Sequence, residues 1–63
     1  MWYIEWQNKN DSRPQGFAYY PNSDAVLSGI YARRKWHFVR VMAPRTASSV
    51  EIQKIRDIGG VPT

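Results

Sequence analysis

The chain has no cysteine, so neither a disulfide nor a thiolate-bound zinc ion can hold it together. Its 63 residues are enough for one hydrophobic core and too few for two. Stability must therefore come from the packing of apolar side chains, of which the largest belong to three Trp, four Tyr and two Phe. We expect one small domain over residues 1–63, with no room for a deeply buried active site.

The N-terminal third of the chain predicts a β-hairpin with a long tip. Apolar and polar residues alternate from Trp2 to Gln7, which is the period of a strand with one buried face. The residues expected in the core are Trp2, Ile4 and Trp6. Residues 8–16 are rich in Asn, Asp, Ser, Pro and Gly, which predicts a loop, and the aromatic run from Phe17 to Tyr20 predicts a second strand.

A first helix and a third strand are predicted next. Asn22, Ser23 and Asp24 are residue types that begin helices, and an apolar stripe with helical spacing follows them. The stripe consists of Val26, Leu27, Ile30 and Tyr31. Residues 37–43 are mostly apolar and predict a strand that Pro44 ends.

The C-terminal part of the chain predicts a second helix. Ser48 and Glu51 have the spacing of a capping box, and Ile52, Ile55 and Ile58 follow at intervals of three. Gly59 suits the position just after a helix, and residues 59–63 are expected to be a tail. The predicted fold class is α+β, in the order β-β-α-β-α, with a three-stranded, mainly antiparallel sheet packed by two helices.

The net charge of +4 comes from one segment. Between Asp24 and Glu51 there is no acidic residue and there are five cations, whereas the rest of the chain has four cations and five acids. The five cations are Arg33, Arg34, Lys35, Arg40 and Arg45. Such segregation is typical of a surface that binds a polyanion, although a small domain also needs charge for solubility alone.

The third strand can present either of two faces to the core. If Trp36, Phe38 and Met42 were buried, Arg40 would be buried with them, and an unpaired buried guanidinium costs several kcal/mol. We therefore expect His37, Val39, Val41 and Ala43 to face the core and the aromatic rings of Trp36 and Phe38 to lie on the surface near Arg34 and Arg40. The alternative is that the C-terminal helix covers Trp36 and Phe38.

Aromatic rings beside arginines predict a surface on which bases stack while cations hold phosphates. Residues 34–41 partly resemble the signature segment of RNA-recognition motifs in the leading cation, the aromatic-x-aromatic spacing and the Val that follows. Lys35 and His37 stand where that segment has glycines. The basic and aromatic surface, to which this match is a physical analogy over eight residues, predicts a non-enzymatic module that binds RNA or single-stranded DNA. The candidate binding residues are Arg33, Arg34, Lys35, Trp36, Phe38, Arg40 and Arg45, with Tyr3, Tyr19 and Tyr20 at the rim.

Three other interpretations stay open at this point. The same surface suits docking on a larger host enzyme, because Trp, Tyr and Arg dominate protein interfaces. Small accessory or inhibitor proteins of mobile elements and phages act in this way. A small ribonuclease could use His37, the only histidine, as its acid or base. A chain this short could also form a homodimer through the aromatic surface. Neither a metal site nor a cofactor site is predicted.

The expected compartment is the cytoplasm. The first residues lack the basic and apolar regions of a secretory signal, and the absence of cysteine is compatible with a reducing environment. No apolar run approaches the roughly 20 residues that span a bilayer, so we expect no contact with a membrane.

Overall fold

The computed structural model describes residues 1–11 and 13–63, which form two helices and one four-stranded sheet. Ser12, within the predicted loop, lies outside the described residues. The elements are β1 (Trp2–Asn8), β2 (Pro14–Tyr20), α1 (Ser23–Arg33), β3 (His37–Met42), α2 (Ser49–Asp57) and β4 (Gly60–Pro62). The α+β class and the order of the first five elements agree with the prediction.

The sheet is mixed, with the strand order β2-β1-β3-β4. β1 pairs with both β2 and β3 in antiparallel fashion, whereas β3 and β4 are parallel and are connected through α2. The prediction of three strands with a tail over residues 59–63 was therefore wrong. A strand of three residues that contains Gly and Pro has too little β propensity to stand out, but Pro is tolerated on an edge strand such as this one.

Three features hold β4 in place. Gly59 has a φ of +94°, a value that favours glycine, and this turn directs the chain from α2 back along β3. Gly60 is buried so closely against α1 and α2 that an added Cβ would lie 2.6 Å from Ile55 Cγ2 and 2.9 Å from Ile30 Cδ1. Beyond β4, the Thr63 amide donates a 2.9 Å hydrogen bond to the Val41 carbonyl.

The predicted loop over residues 8–16 is also corrected. β1 continues to Asn8 and β2 begins at Pro14, so both strands reach into that range. The register shifts between Trp6 and Gln7 where Gln7 pairs with Pro14. Backbone pairing extends the two strands here although the side chains are of types that favour turns, because the ladder needs only main-chain groups.

Both helices pack on the same face of the sheet. The buried core combines side chains from β1 and β3 with one stripe from each helix. Its members are Trp2, Ile4, Val26, Ile30, Val39, Val41 and Ile55. Two members of the predicted α1 stripe are thus buried, Leu27 is half-buried and Tyr31 is exposed. The packing makes a two-layer domain with its core on one side of the sheet only.

The helix starts match the predicted caps. The Asn22 side chain accepts a 2.9 Å hydrogen bond from the Ala25 amide at the start of α1. At α2 the capping box is complete, because Ser48 Oγ accepts from the Glu51 amide and Glu51 Oε1 accepts from the Ser48 amide. The hydrogen bond from the Ser48 amide lowers the pKa of Glu51. The capping box therefore stays formed as the pH falls, until that lowered pKa is reached. Neither helix of the described chain has the length and apolarity needed to cross a membrane.

Gly60→Ala should lower the free energy of unfolding by about 1–3 kcal/mol, because the added methyl group overpacks the contact with Ile55 and Ile30. Chemical denaturation measures the change. Val61→Ala is the control in the same strand, and we expect a change below about 1 kcal/mol because that side chain is 37% exposed. Two unchanged midpoints would mean that residues 59–63 are a loose tail after all.

Candidate functional site

The face of the sheet opposite the helices, here called the outer face, carries an aromatic and apolar surface. Within residues 1–11 and 13–63 no helix packs against it, since both lie on the other side. Strand alternation places nine of the described side chains on it in three cross-strand rows. The rows are Tyr19, Tyr3 and Met42; then Phe17, Glu5, Arg40 and Val61; then Gln7 and Phe38.

Three aromatic rings cluster at the β2 side of the outer face. The ring centroid of Tyr3 lies 5.2 Å from that of Tyr19 and 6.1 Å from that of Phe17. The Tyr3 hydroxyl donates a 3.1 Å hydrogen bond to Glu5 Oε2. The pKa of Tyr3 is raised mainly by partial burial and to a smaller extent by this hydrogen bond and the negative charge of Glu5. The hydroxyl therefore stays protonated at physiological pH.

The centre of the outer face has no net charge. Arg40 Nη1 lies 4.0 Å from Glu5 Oε1, and the two residues are directly paired across β1 and β3. Both side chains are partly exposed, so the pair contributes at most about 1 kcal/mol to stability. Its effect is local, because Glu5 cancels the charge that Arg40 would offer to a phosphate.

A groove of about 660 Å³ opens at the edge of the outer face where β3 begins. Lys9 reaches it from the hairpin tip, and Arg34 and Lys35 reach it from the turn after α1. Asp57 is the one acid among the described residues that line it. Phe38 lies at its border with the outer face. The complete lining of this cationic groove is Lys9, Arg34, Lys35, His37, Phe38, Asp57, Ile58 and Gly59.

Two of the cations that line the groove rest on aromatic rings. The Arg34 guanidinium lies 4.1 Å from the centroid of the Tyr31 ring, and Lys35 Nζ lies 5.3 Å from that of the Trp36 ring. The Lys9 amide donates a 3.4 Å hydrogen bond to the Trp36 carbonyl, which ties the hairpin tip to the turn after α1. The groove is thus assembled from segments far apart in the sequence.

The structure brings together only part of the predicted site. Arg34, Lys35 and Phe38 line the groove, and Trp36 follows Lys35 in the same turn with 65% of its surface exposed. Phe38 is 41% exposed, so the C-terminal helix does not cover either ring. Val39 and Val41 are buried and Ala43 is half-buried, as the preferred register of the third strand requires.

The other predicted cations lie elsewhere. Arg33 turns to the helix side, where its guanidinium stacks 3.9 Å from the centroid of the Trp6 ring and donates a hydrogen bond to the Gly29 carbonyl. Arg40 is at the centre of the outer face with Glu5. The groove lies where β3 begins, whereas Arg45 follows the end of β3. A strand of this length separates the two by about 20 Å.

Two contributors were not singled out from the sequence. Lys9 stands alone among polar loop residues, and only the pairing of β1 with β3 places it beside the turn after α1. Phe17 shares the outer face with Tyr19, which was expected at a rim. The alternation of Phe17, Ala18, Tyr19 and Tyr20 contains that information, because residues two apart in a strand share a face.

His37 lies half-buried in the lining of the groove, and its Nδ1 is buried without a hydrogen bond to any described residue. Arg40 is on the opposite face of β3, so it does not join His37. Arg34 does share the groove with His37, but its guanidinium rests on Tyr31. The ribonuclease and host-docking interpretations stay predictions.

Comparison with known proteins adds no relative. No protein family matches the chain, and neither a curated protein nor a solved structure matches it. The geometry of the groove and of the outer face is therefore the basis for proposing a function.

Arg33→Ala should lower the free energy of unfolding by about 1 kcal/mol, because it removes the stacking on Trp6 and the bond to Gly29. Denaturation followed by Trp fluorescence measures the change. Lys35→Ala is the control, with an expected change within about 0.5 kcal/mol at an exposed site. An unchanged stability for Arg33→Ala, together with weaker oligonucleotide binding, would place Arg33 among the ligand contacts.

Proposed function

We propose that the protein binds RNA or single-stranded DNA through the cationic groove and the aromatic rings beside it, without catalysing a reaction. The observation that carries the proposal is the convergence of Lys9, Arg34 and Lys35 on one concave surface next to an exposed aromatic ring. Single-stranded nucleic acid is the ligand class that offers negative charge and stackable rings at regular spacing.

The three cations would bind phosphates. Against them the lining has one carboxylate, that of Asp57, which already accepts a 2.9 Å hydrogen bond from Gln53 Nε2. Each phosphate that a cation neutralises releases condensed counterions, so the affinity falls as salt is added. In the free protein Arg34 and Lys35 lie on aromatic rings. These two side chains are therefore already ordered before a ligand binds, so binding costs less side-chain entropy.

Phe38 and Trp36 would stack bases. Both rings are exposed, and they adjoin the cations in sequence and in space. Stacking on an aromatic side chain contributes about 1–3 kcal/mol per base and depends little on base identity. We therefore expect modest sequence preference. Arg40 contributes little because Glu5 neutralises it, and Arg45 acts only through the general positive field of the protein.

Lys9→Glu and Lys35→Glu should each weaken binding of a fluorescent oligonucleotide about tenfold at low salt and lower the slope of log K against log salt by about one or more. Fluorescence anisotropy at several salt concentrations gives both numbers. Arg45→Glu is the matched control, since it makes the same change in charge at the other end of β3. Equal losses in all three variants would show that affinity follows net charge and not the groove.

The purified protein should leave a labelled RNA intact, and His37→Ala should leave its affinity within about threefold, because His37 is half-buried with Nδ1 turned inward. Gel analysis after prolonged incubation tests the first expectation. Cleavage that disappears in His37→Ala would replace the binding proposal with the ribonuclease interpretation.

A further inference from the structure

We infer that a second copy of this chain covers the outer face in solution, packed face to face about a two-fold axis parallel to the strands. This inference goes beyond the proposed function, because it concerns the outer face and not the cationic groove. Four observations carry it: the exposure of the face, its charges, the arrangement of its apolar side chains and its size.

The outer face is an apolar surface that no layer of the described chain covers. Phe17 and Tyr19 are each 62% exposed, and Met42 is exposed beside them. Monomeric proteins rarely expose contiguous apolar patches of more than a few hundred Å², and sheets with two apolar faces normally bury the second against another layer. The two helices are already used on the first face.

The charges on the face are complementary to themselves. Glu5 and Arg40 sit side by side at its centre, one on β1 and one on β3. A two-fold axis that runs between these strands and parallel to them lays Glu5 over the partner's Arg40 and Arg40 over the partner's Glu5. An axis across the strands would instead oppose like charges, which costs free energy. Charge therefore selects one orientation of the two copies.

The same axis matches the apolar side chains. It lays the Tyr3 ring over the partner's Met42 and the Phe17 ring over the partner's Val61, because each of these pairs occupies mirrored positions in one cross-strand row. In these two rows an aromatic ring of one copy thus meets an aliphatic side chain of the other, and in the third row Phe38 meets the partner's Gln7. Contact between a methionine sulfur and an aromatic ring is itself favourable.

The size of the face limits the strength of the association. Four strands about 4.8 Å apart and three rows of outward side chains give a patch of about 19 by 20 Å. Two such patches bury on the order of 1,000 Å², which is at the lower end of specific interfaces. The dimer should therefore be reversible. Nucleic acid is a poorer occupant, because the centre of the face is neutral.

The orientation has a consequence for the groove. An axis parallel to the strands keeps the two copies pointing in the same direction, so both cationic grooves lie at the same end of the dimer. One nucleic-acid strand can then contact both, and the second contact benefits from the high effective concentration of the first.

Sedimentation over about 10 µM to about 1 mM protein tests the inference, because an interface of this size gives dissociation constants in the micromolar range or weaker. Glu5→Arg gives a face with two arginines, and Arg40→Glu gives a face with two glutamates. Each variant alone should dimerise at least tenfold more weakly than the unchanged protein, because like charges then oppose each other. An equimolar mixture should recover the association as a heterodimer.

The mixture separates an intermolecular pair from an intramolecular one, because neither variant contains a Glu5–Arg40 pair of its own. Lys54→Glu on α2 is the control and should associate like the unchanged protein. Phe17→Lys, at an exposed position, is a second variant that should weaken the dimer if either charge variant folds poorly. Circular dichroism checks the fold of each.

Three results would overturn the inference. The first is that the unchanged protein stays monomeric at the highest concentration. If Phe17→Lys then also weakens oligonucleotide binding, the face is assigned to nucleic acid instead. The second is a dimer unaffected by Glu5→Arg, Arg40→Glu and Phe17→Lys. The third is a mixture that remains monomeric although each charge variant is folded. Lys35→Glu should dimerise normally, so a failure of nucleic-acid binding is distinguishable from a failure of dimerisation.

Discussion

The structure depends on a core that lies on one side of the sheet. Two helices of 11 and 9 residues are enough to cover one face of four strands, and both are placed there. Gly60 lies in close contact with Ile55 and Ile30, so β4 packs in the sheet directly against the two helices. The helix α2 is the crossover between the parallel strands β3 and β4. As a direct result the outer face remains apolar and is covered by neither described helix, which is the reason for expecting a partner.

Much of this arrangement could be predicted from local patterns. Alternation assigned the faces of β1, and the cost of burying Arg40 selected the register of β3, since both arguments concern neighbours within one strand. The capping box of Ser48 and Glu51 located the start of α2 for the same reason. The extent of the hairpin and the existence of β4 could not be predicted, because short paired segments are determined by their partners in space. Lys9 escaped notice for that reason as well.

The positive segment between Asp24 and Glu51 does not act as one surface. Arg33 serves the fold by stacking on Trp6, and Arg40 is balanced by Glu5. Arg34 and Lys35 face the groove together with Lys9, a cation from outside the segment. Sequence counts locate charge along the chain, but the turn after α1 and the pairing of β1 with β3 decide which charges converge. Net charge is therefore a weaker guide to the site than the register of the sheet.

The charged groove and the neutral outer face divide the surface between two kinds of ligand. A polyanion gains free energy from each uncompensated cation, so it favours the groove, whereas an apolar partner gains from burial without charge, so it favours the face. Glu5 is decisive in this division, because without it Arg40 would extend the positive potential across the aromatic rings. Under the proposed function, pairing Arg40 with Glu5 keeps the face suited to a protein surface and leaves the edge as the place where nucleic acid would bind. Phe38 lies at the border of both surfaces. The proposed nucleic-acid contacts that stay free when a second copy covers the face are therefore Lys9, Arg34, Lys35 and Trp36.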